Sequence, residues 1–215
     1  ECFSDIYCHN DFAENKTIEI INASFIADEE SIFGKVNRKY AKTEIEWYQS
    51  QSRNIHDIPG KIPKIWMEIA DHQGNINSNY GWCIFSNENK NQFSNAIACL
   101  TRDKNSRQSQ MIYTRPSMHK DASRNGMKDF MCTSTTQLII RKDMLHYIVH
   151  MRSSDAVFGY KNDRFWHDYV HTLAHDLLFQ FYPKLKIGKI YWNAGSLHVY
   201  PRHYKLVERY IDAKS

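Results

Sequence analysis

Residues 128–141, KDFMCTSTTQLIIR, place a cysteine, Cys132, at the entrance of a predicted strand. The run from 137 to 141 is apolar and partly β-branched, which indicates a buried strand. The residues before Cys132, from 118 to 128, are polar and basic, which is typical of a loop. Basic surroundings stabilise a thiolate, and a thiolate is a strong nucleophile. Cys132 is therefore a candidate catalytic residue, with an inert buried thiol as the alternative.

Strand and helix patterns alternate along the rest of the chain. Alternating and β-branched runs predict strands at residues 17–25, 111–114, 135–141, 144–151, 189–192 and 196–200. Apolar residues at helical spacing predict helices at residues 37–50, 64–70, 87–100, 162–181 and 201–211. The pattern predicts one α/β (α+β) domain over residues 1–215, with a glycine turn between the last two strands. Residues 1–16 are polar, which is compatible with poor order.

Composition restricts the class of protein. The chain has 215 residues, 42% of them hydrophobic, and a formal net charge of +4, so it can bury one sizeable core. No apolar run approaches the roughly 18 residues of a membrane span, and the first residues lack a signal-peptide pattern. The mild charge suits a site for an anion such as a phosphate. We therefore expect a cytoplasmic protein with no direct nucleic-acid or membrane partner.

The cysteines and histidines give no metal or disulfide pattern. The five cysteines are Cys2, Cys8, Cys83, Cys99 and Cys132. Their number is odd and no pair has C-x-x-C spacing, so neither a disulfide framework nor a zinc site is expected. His171 and His175 stand at i and i+4 of a predicted helix, a spacing that can bind metal. No third ligand has a persuasive spacing, so we interpret both histidines as structural.

An acidic residue lies on the apolar face of the first predicted helix. Tyr40, Glu44, Trp47 and Tyr48 share one face at i, i+4, i+7 and i+8. A carboxylate on such a face is unusual, because burial of an unpaired charge is costly. Glu44 is therefore a candidate site residue. The alternative is that Glu44 reaches solvent or pairs with a lysine.

Polar side chains concentrate in residues 152–163, RSSDAVFGYKND, directly after a predicted strand. Arg152 and Ser153 offer a guanidinium fork and a hydroxyl, which suit phosphate oxygens; a surface ion pair and a turn are the alternative. Asp163 stands at the start of a predicted helix, where Asp is commonly a cap. His198 and Tyr200 share one side of a strand and could present donors into a cleft, or belong to the core.

In order and approximate spacing, these residues resemble the thymidylate synthase superfamily. The resemblance covers residues 17–211 and rests on TEIEWY (43–48), KIWMEIAD (64–71), NSNYGW (77–82), NSRQ (105–108), FMCTSTTQ (130–137), RSSDAVFG (152–159) and GSLHVYPRH (195–203). Within that superfamily the sequence is most similar to the deoxycytidylate hydroxymethylases of phages. The resemblance implies a thymidylate synthase-like mixed sheet flanked by helices. It also implies a homodimer in which the sheets of two subunits pack together.

The resemblance implies a reaction and three catalytic residues. Cys132 matches the thiolate that adds to C6 of a pyrimidine, and Glu44 matches the glutamate that orders water and relays protons. Asp163 stands where synthases acting on uracil carry Asn. Cytosine offers a 4-amino donor and an N3 acceptor, which a carboxyl group can match when protonated. A mismatched donor or acceptor costs about 1–3 kcal/mol for each buried group, so Asp163 argues for dCMP rather than dUMP.

The resemblance also implies binding residues. Arg152, Ser153, His198, Tyr200, Tyr80 and Arg107 match substrate-binding positions, while Asp155, Trp66 and Tyr80 match positions that bind the folate. Arg107 would reach the phosphate site of the neighbouring subunit. The arginine pair of the family reads Arg107–Gln108 here, so one phosphate contact is lost or is supplied elsewhere, with Arg115 as a candidate.

The resemblance therefore implies a hydroxymethyltransferase that converts dCMP to 5-hydroxymethyl-dCMP with 5,10-methylenetetrahydrofolate and water, without a metal. Two alternatives remain. One is an enzyme directed to dUMP, either a hydroxymethylase or a thymidylate synthase. The other is a non-catalytic nucleotide- or RNA-binding member of the fold.

Overall fold

Six strands form one mixed sheet in the computed structural model, which describes residues 6–10, 16–121 and 123–213. In chain order the strands are β1 (Ile6–Asn10), β2 (Lys16–Ile26), β3 (Gln110–Ile112), β4 (Thr133–Arg141), β5 (Met144–Asp155) and β6 (Lys186–Val199). The order across the sheet is β1-β2-β6-β5-β4-β3. Strands β5 and β6 are parallel, and every other neighbouring pair is antiparallel. The mixed sheet that the sequence predicts is confirmed.

Seven α-helices occur in the described residues. They are α1 (Arg38–Ser50), α2 (Lys64–Ile69), α3 (Tyr80–Phe85), α4 (Gln92–Arg102), α5 (Met118–Asp121), α6 (Gly159–Phe179) and α7 (Tyr204–Asp212). Helix α6 connects the parallel strands β5 and β6 and packs on both, as a parallel connection requires. Helices α1 and α4 pack against α6 in turn. No helix in the described part of the chain is long and apolar enough to cross a membrane.

Helices cover one face of the sheet, and the other face is partly exposed. One cross-strand row consists of Phe25, Trp192, Val149, Thr136 and Met111, and the last four of these are fully buried beneath the helices. Side chains alternate between the faces of a strand, so the next row lies on the opposite face. It consists of Ile26, Tyr191, Ile148 and Gln137. Ile26 and Tyr191 are 36% and 38% exposed, so this second face is partly open in the single chain.

The predicted glycine turn in the last strand is wrong. Strand β6 runs unbroken through Gly195, which lies beside Arg152 of β5. A Cβ atom at Gly195 would stand 2.8 Å from the Arg152 carbonyl oxygen. This glycine therefore permits two strands to approach closely rather than reversing the chain.

Several predicted boundaries also shift. Strand β5 extends to Asp155, so the polar residues from 152 to 155 belong to the strand that the sequence pattern predicts to end at residue 151. Tyr80 opens the unpredicted helix α3, capped by the Asn79 side chain. Helix α4 begins at Gln92 rather than at residue 87, because Asn91 caps it there.

Helical spacing predicts that Trp166, Val170, Leu173 and Leu177 form the interior stripe of α6, and the observed stripe differs in part. Trp166 and Val170 are buried as expected, but Leu177 is exposed, and Ala174 and Leu178 are buried in its place. The sequence predicts poor order for residues 1–16, but residues 6–10 form strand β1 in the structure. Residues 1–5 and 11–15 lie outside the described residues.

Candidate active site

A cavity of about 750 Å³ opens at the ends of β5 and β6, between α1, α2 and the start of α6. Ten of the eleven side chains singled out from the sequence line this cavity. They are Glu44, Trp66, Tyr80, Cys132, Arg152, Ser153, Asp155, Asp163, His198 and Tyr200. The remaining one, Arg107, lies outside it. Residues from six helices and strands therefore meet in one place.

Cys132 stands directly before β4, beside Arg152 of the neighbouring strand β5. The Arg152 backbone N–H donates to the Cys132 carbonyl (2.8 Å), and its guanidinium lies 3.9 Å from the Cys132 Sγ. The guanidinium itself donates to the carbonyls of Met131 (3.0 Å) and Phe130 (2.6 Å). Burial nevertheless raises the pKa of the Cys132 thiol to about 12, although Arg152 lowers it. Arg152 therefore acts in the direction that a thiolate requires, against the larger effect of burial.

A buried carboxylate holds the segment that carries Cys132. Asp129 accepts hydrogen bonds from the backbone N–H groups of Asn77 (2.6 Å) and Ser78 (2.7 Å) and from the Ser78 hydroxyl (2.6 Å). Charge-assisted bonds of this kind are stronger than neutral ones. They tie residues 128–132 to the start of α3, and so fix Cys132 relative to Tyr80.

Glu44 is buried in α1 and faces the cavity, with only 8% of its surface exposed. The Tyr40 hydroxyl donates to Glu44 Oε1 (2.6 Å), and the Trp66 indole N–H donates to the Tyr40 hydroxyl (3.2 Å). Burial raises the pKa of Glu44 to about 7, while the hydrogen bonds from Tyr40 and Trp66 lower it. No lysine in the described residues forms an ion pair with Glu44, so the alternatives of solvent exposure and lysine pairing are both excluded.

Asp163 lies in the second turn of α6 and not at its cap. Burial and the nearby charge of Glu44 raise the pKa of Asp163 to about 8, and a hydrogen bond from Tyr80 lowers it. A carboxyl group with this pKa is largely protonated at neutral pH. The turn before α6 is held instead by Asp155, which accepts from the backbone N–H groups of Val157 (2.9 Å) and Phe158 (3.3 Å).

Behind the cavity, a buried histidine supports the residue that follows Cys132. The His167 Nε2 atom and the Thr133 hydroxyl are 3.2 Å apart. Burial lowers the pKa of His167 to about 3, so the imidazole is neutral. The Thr133 hydroxyl also hydrogen-bonds with Tyr80. This side of the cavity is therefore a buried polar network and not a mobile surface.

The opposite end of the cavity is rich in donors. In the parallel ladder, Ser153 stands beside Ser196, and Asp155 stands beside His198. The rings of His198 and Tyr200 are in edge contact, 5.0 Å between centroids. The Arg202 guanidinium lies 4.5 Å above the Tyr200 ring. An end of the cavity suited to an anion is formed by Arg152, Ser153, His198, Tyr200 and Arg202.

The comparisons with known proteins agree with this geometry. A sequence model of the thymidylate synthase family matches residues 32–215. The chain belongs to the thymidylate synthase family. It is 50% identical over 197 residues to the deoxycytidylate 5-hydroxymethyltransferases of Enterobacteria phages T4 and T2, covering 91% of this chain and 80% of each relative. It is 24% identical over 179 residues to the thymidylate synthase of Francisella philomiragia, covering 78% of this chain and 63% of that protein.

A solved structure of the thymidylate synthase family shares the fold. The thermostable thymidylate synthase A from Bacillus subtilis matches with a TM-score of 0.70. The match covers 95% of this chain and 74% of that chain, at 21% sequence identity. The predicted fold class is confirmed.

Two arginines that the family resemblance implicated lie outside the cavity. Arg107 lies between α4 and β3, where its carbonyl accepts from the Gln137 side chain (2.6 Å). Gln137 belongs to the open face of the sheet, so Arg107 sits at the edge of that face. Arg115 stacks over Trp82 at 5.0 Å, bonds to Asn77, and lies 3.6 Å from Asp121. Arg115 does not line the cavity of its own chain, and its role as a source of the missing phosphate contact stays a prediction.

Some cavity residues escaped the reasoning from sequence. Tyr40, Lys35, Lys161, Phe158 and Arg202 all line the cavity. Tyr40 could have been found, because it precedes Glu44 by four residues on the same helix face. The lysines and Phe158 carry no such signal, since exposed lysines and single aromatic residues are common on any surface.

The two histidines at i and i+4 of α6 face the protein backbone. The His171 Nε2 atom contacts the Leu145 carbonyl oxygen (2.7 Å), and the His175 Nε2 atom contacts that of Leu185 (3.2 Å). Both imidazoles therefore have structural partners. Among residues 6–10, 16–121 and 123–213, no group of three or more His, Cys, Asp or Glu side chains has the arrangement of a metal site.

Proposed function

We propose that this chain is a deoxycytidylate 5-hydroxymethyltransferase, which converts dCMP to 5-hydroxymethyl-dCMP with 5,10-methylenetetrahydrofolate and water. The 50% identity to the phage enzymes of that name supports this function. The observation that carries it in the structure is Asp163, a half-buried carboxyl group whose pKa is raised to about 8 by desolvation and by Glu44. It lines the same cavity as Cys132 and Glu44.

Asp163 is the residue proposed to recognise the base through hydrogen bonds. Cytosine presents an amino donor beside the N3 acceptor, and a protonated carboxyl group presents an acceptor beside a donor. Tyr80 is the neighbour that lowers the pKa of Asp163, and its hydroxyl is the proposed donor to one carboxyl oxygen, which leaves the other oxygen to carry the proton. Tyr80 thereby fixes which oxygen donates, which is how a symmetric carboxyl group can discriminate between two bases.

Cys132 is the proposed nucleophile at C6 of the pyrimidine. Its thiol must first lose a proton, and the negative charge of ionised Asp163 raises its pKa while Arg152 lowers it. Protonation of Asp163 removes the unfavourable charge and leaves that of Arg152. The protonation state that suits cytosine therefore also favours the thiolate.

Glu44 is the proposed acid–base group. Addition of the Cys132 sulfur to C6 makes C5 nucleophilic, and C5 bonds to the one-carbon unit. C5 then loses its proton as the bond from that carbon to the folate nitrogen breaks, which releases tetrahydrofolate and leaves a C5–methylene double bond. Water adds to that carbon while Glu44 takes up the water proton, and the returning electron pair breaks the bond from C6 to sulfur. A pKa of about 7 suits a group that both accepts and returns a proton near neutrality.

The donor-rich end of the cavity is the proposed site of the nucleotide phosphate and sugar. Arg152 and Ser153 supply a guanidinium and a hydroxyl on consecutive residues of β5. His198 and Tyr200 face the same end of the cavity from β6 and the residue that follows it. Charge-assisted hydrogen bonds from arginine are well suited to phosphate oxygens.

The remaining wall of the cavity fits the folate. Ile65 and Phe158 line the cavity yet are 53% and 51% exposed, and together with Trp66 they offer an apolar surface for a flat ring. Asp155 retains lone pairs beyond its two backbone contacts, and Lys161 lies on the same side, 4.6 Å from the Phe158 ring. When bound, methylenetetrahydrofolate supplies a one-carbon unit at the oxidation level of formaldehyde.

A homodimer through the open sheet face is part of the proposal. The row Ile26, Tyr191 and Ile148 exposes apolar surface that isolated subunits rarely leave open. Arg107 lies at the edge of this face and outside the cavity of its own chain. Both features support an assembly in which Arg107 reaches the anion end of the partner's cavity.

Product analysis tests the proposal against its alternatives. Purified protein is incubated with methylenetetrahydrofolate and either dCMP or dUMP, and the products are identified by mass spectrometry. We expect 5-hydroxymethyl-dCMP from dCMP. Formation of dTMP and dihydrofolate from dUMP would identify a thymidylate synthase, and binding without turnover of either nucleotide would identify a non-catalytic member of the fold.

A further inference from the structure

We propose that Tyr40 is a positioning residue for Glu44: its hydroxyl group occupies one carboxylate oxygen and reserves the other for proton exchange with water in the cavity. This inference rests on the proposed function, since it assigns Tyr40 to the step in which Glu44 acts. Tyr40 itself touches Glu44 and Trp66, and it acts on the reaction through Glu44.

The direction of the hydrogen bonds around Tyr40 is fixed by chemistry. The indole N–H of Trp66 can only donate, so the Tyr40 oxygen, 3.2 Å away, accepts from it. The single hydroxyl proton of Tyr40 is then free to donate to Glu44 Oε1, 2.6 Å away. The chain from Trp66 through Tyr40 ends on the Glu44 carboxylate, and every bond in it points toward the negative charge.

This polarity assigns different roles to the two oxygens of Glu44. Oε1 accepts from Tyr40, so a proton arriving at Glu44 is carried by Oε2. Glu44 lines the cavity, and its second oxygen is therefore the one that exchanges protons with water there. A carboxylate with both oxygens open would rotate and present either of them, and the geometry of proton transfer would be less defined.

The same contact controls the acidity of Glu44. Burial raises its pKa to about 7, and the Tyr40 hydrogen bond is the largest opposing influence. The titratable groups coupled to Glu44 are Tyr40 and Tyr48 on α1 and Asp163 on α6. Burial raises the pKa of both tyrosines far above neutrality, so they stay neutral, and Trp66 on α2 does not titrate. Removal of the Tyr40 hydroxyl should therefore raise the pKa of Glu44 further.

The test replaces Tyr40 with Phe, which removes the hydroxyl and keeps the ring. Tyr169→Phe is the matched control, because the Tyr169 hydroxyl accepts from exposed Gln49 (2.6 Å) and lies outside the cavity. Carboxyl ¹³C NMR of the unliganded protein follows the titration of Glu44. We expect Tyr40→Phe to raise its pKa by about one unit, a tenfold change in the ionisation constant, and Tyr169→Phe to leave it unchanged.

Kinetics supply the second measurement. The acidic limb of kcat for 5-hydroxymethyl-dCMP formation should move to higher pH in Tyr40→Phe, with activity recovering as the pH rises. Should this variant fail to fold, Trp66→Phe removes both the donor to Tyr40 and the hydrogen bond from Trp66 that lowers the pKa of Glu44. It should shift the titration in the same direction by less, because Tyr40 is the larger influence. A merely structural tyrosine would lower kcat equally at every pH.

An unshifted Glu44 titration, or a uniform loss of kcat across the pH range, would overturn the role of Tyr40. Failure of the proposed function has a different signature, because the wild-type protein itself would then form no 5-hydroxymethyl-dCMP. In that case the NMR titration would still decide whether Tyr40 sets the acidity of Glu44.

Discussion

At the scale of single residues, Asp163 is the residue proposed to determine whether the enzyme prefers cytosine or uracil. Asp163→Asn replaces an acid with an amide that cannot titrate, and we expect preference to move from dCMP toward dUMP. Each mispaired buried group costs about 1–3 kcal/mol, or about 5- to 150-fold in kcat/KM. The measurement is kcat/KM for both nucleotides, with Asp168→Asn on an exposed part of the same helix as control. An unchanged ratio in Asp163→Asn would refute the pairing argument.

The carboxyl groups of Glu44 and Asp163 predict a bell-shaped pH dependence. Glu44 must be ionised to accept a proton, and its pKa of about 7 means that activity falls as the pH drops through that value. Asp163 must be protonated to donate to N3, and its pKa of about 8 means that activity falls as the pH rises through that value. Ionised Glu44 raises the pKa of Asp163, so the pair favours the active state between the limbs.

The profile of kcat/KM for dCMP against pH measures this coupling, because it reports the ionisations of the free enzyme. Asp163→Asn should remove the alkaline limb and retain the acidic one. A flat profile in the wild-type protein, or an alkaline limb that survives Asp163→Asn, would contradict the assignment.

The sequence predicted which residues line the site, but it did not predict their pKa values. Glu44 stood out because a carboxylate on an apolar helix face needs an explanation, and Cys132 because a basic loop precedes it. The pKa of Cys132 depends on the depth of burial and on Asp163 and Asp129, which lie at other points of the chain. Such distances arise only from the tertiary fold, so the pattern of residues could not predict them.

At the scale of elements, Gly195 tests the contact between β5 and β6. Gly195→Ala places a Cβ atom 2.8 Å from the Arg152 carbonyl oxygen, and we expect a loss of about 1–3 kcal/mol in the free energy of unfolding from overpacking. Denaturant unfolding measures the change. Lys189→Ala, at an exposed position of the same strand, should stay within about 0.5 kcal/mol. Equal stability of Gly195→Ala and the wild type would mean that the strands separate at no cost.

Element types were more predictable than their ends. Residues 17–25 and 37–50 have clean periodicity, and β2 and α1 match them within one residue. The predicted strand ends at residue 151 because the side chains from 152 to 155 are polar, and three of these side chains line the cavity rather than the core. The glycine of β6 read as a turn for a related reason: glycine permits both a reversal and a close approach, and only the neighbouring strand distinguishes them.

At the scale of the whole molecule, the sheet order could not be derived from periodicity. Alternation predicts that a strand is half-buried, but it contains no information on which strand lies beside it. The parallel pairing of β5 with β6 across α6 follows from packing. The resemblance to the thymidylate synthase family supplied what the pattern lacked. We further propose that residues 1–215 form one domain.

Subunit mixing tests the homodimer and the place of Arg107. Arg107→Ala and Cys132→Ala are each expected to be strongly impaired alone. If Arg107 serves the partner's cavity, a mixed dimer contains one cavity with both native residues, so refolding equal amounts together should restore about a quarter of the sites. Sedimentation velocity measures the dimer directly. If a verified mixed dimer shows no recovery of activity, Arg107 acts in the cavity of its own chain or in neither cavity.

The central claim is that Cys132 attacks C6 of dCMP and activates C5. Release of tritium from [5-³H]dCMP in the presence of methylenetetrahydrofolate tests it most directly, because the C5 proton leaves only after that attack. The account predicts release with the wild-type protein, together with 5-hydroxymethyl-dCMP, and none with Cys132→Ala. Release from dUMP but not from dCMP, or undiminished release with Cys132→Ala, would contradict it.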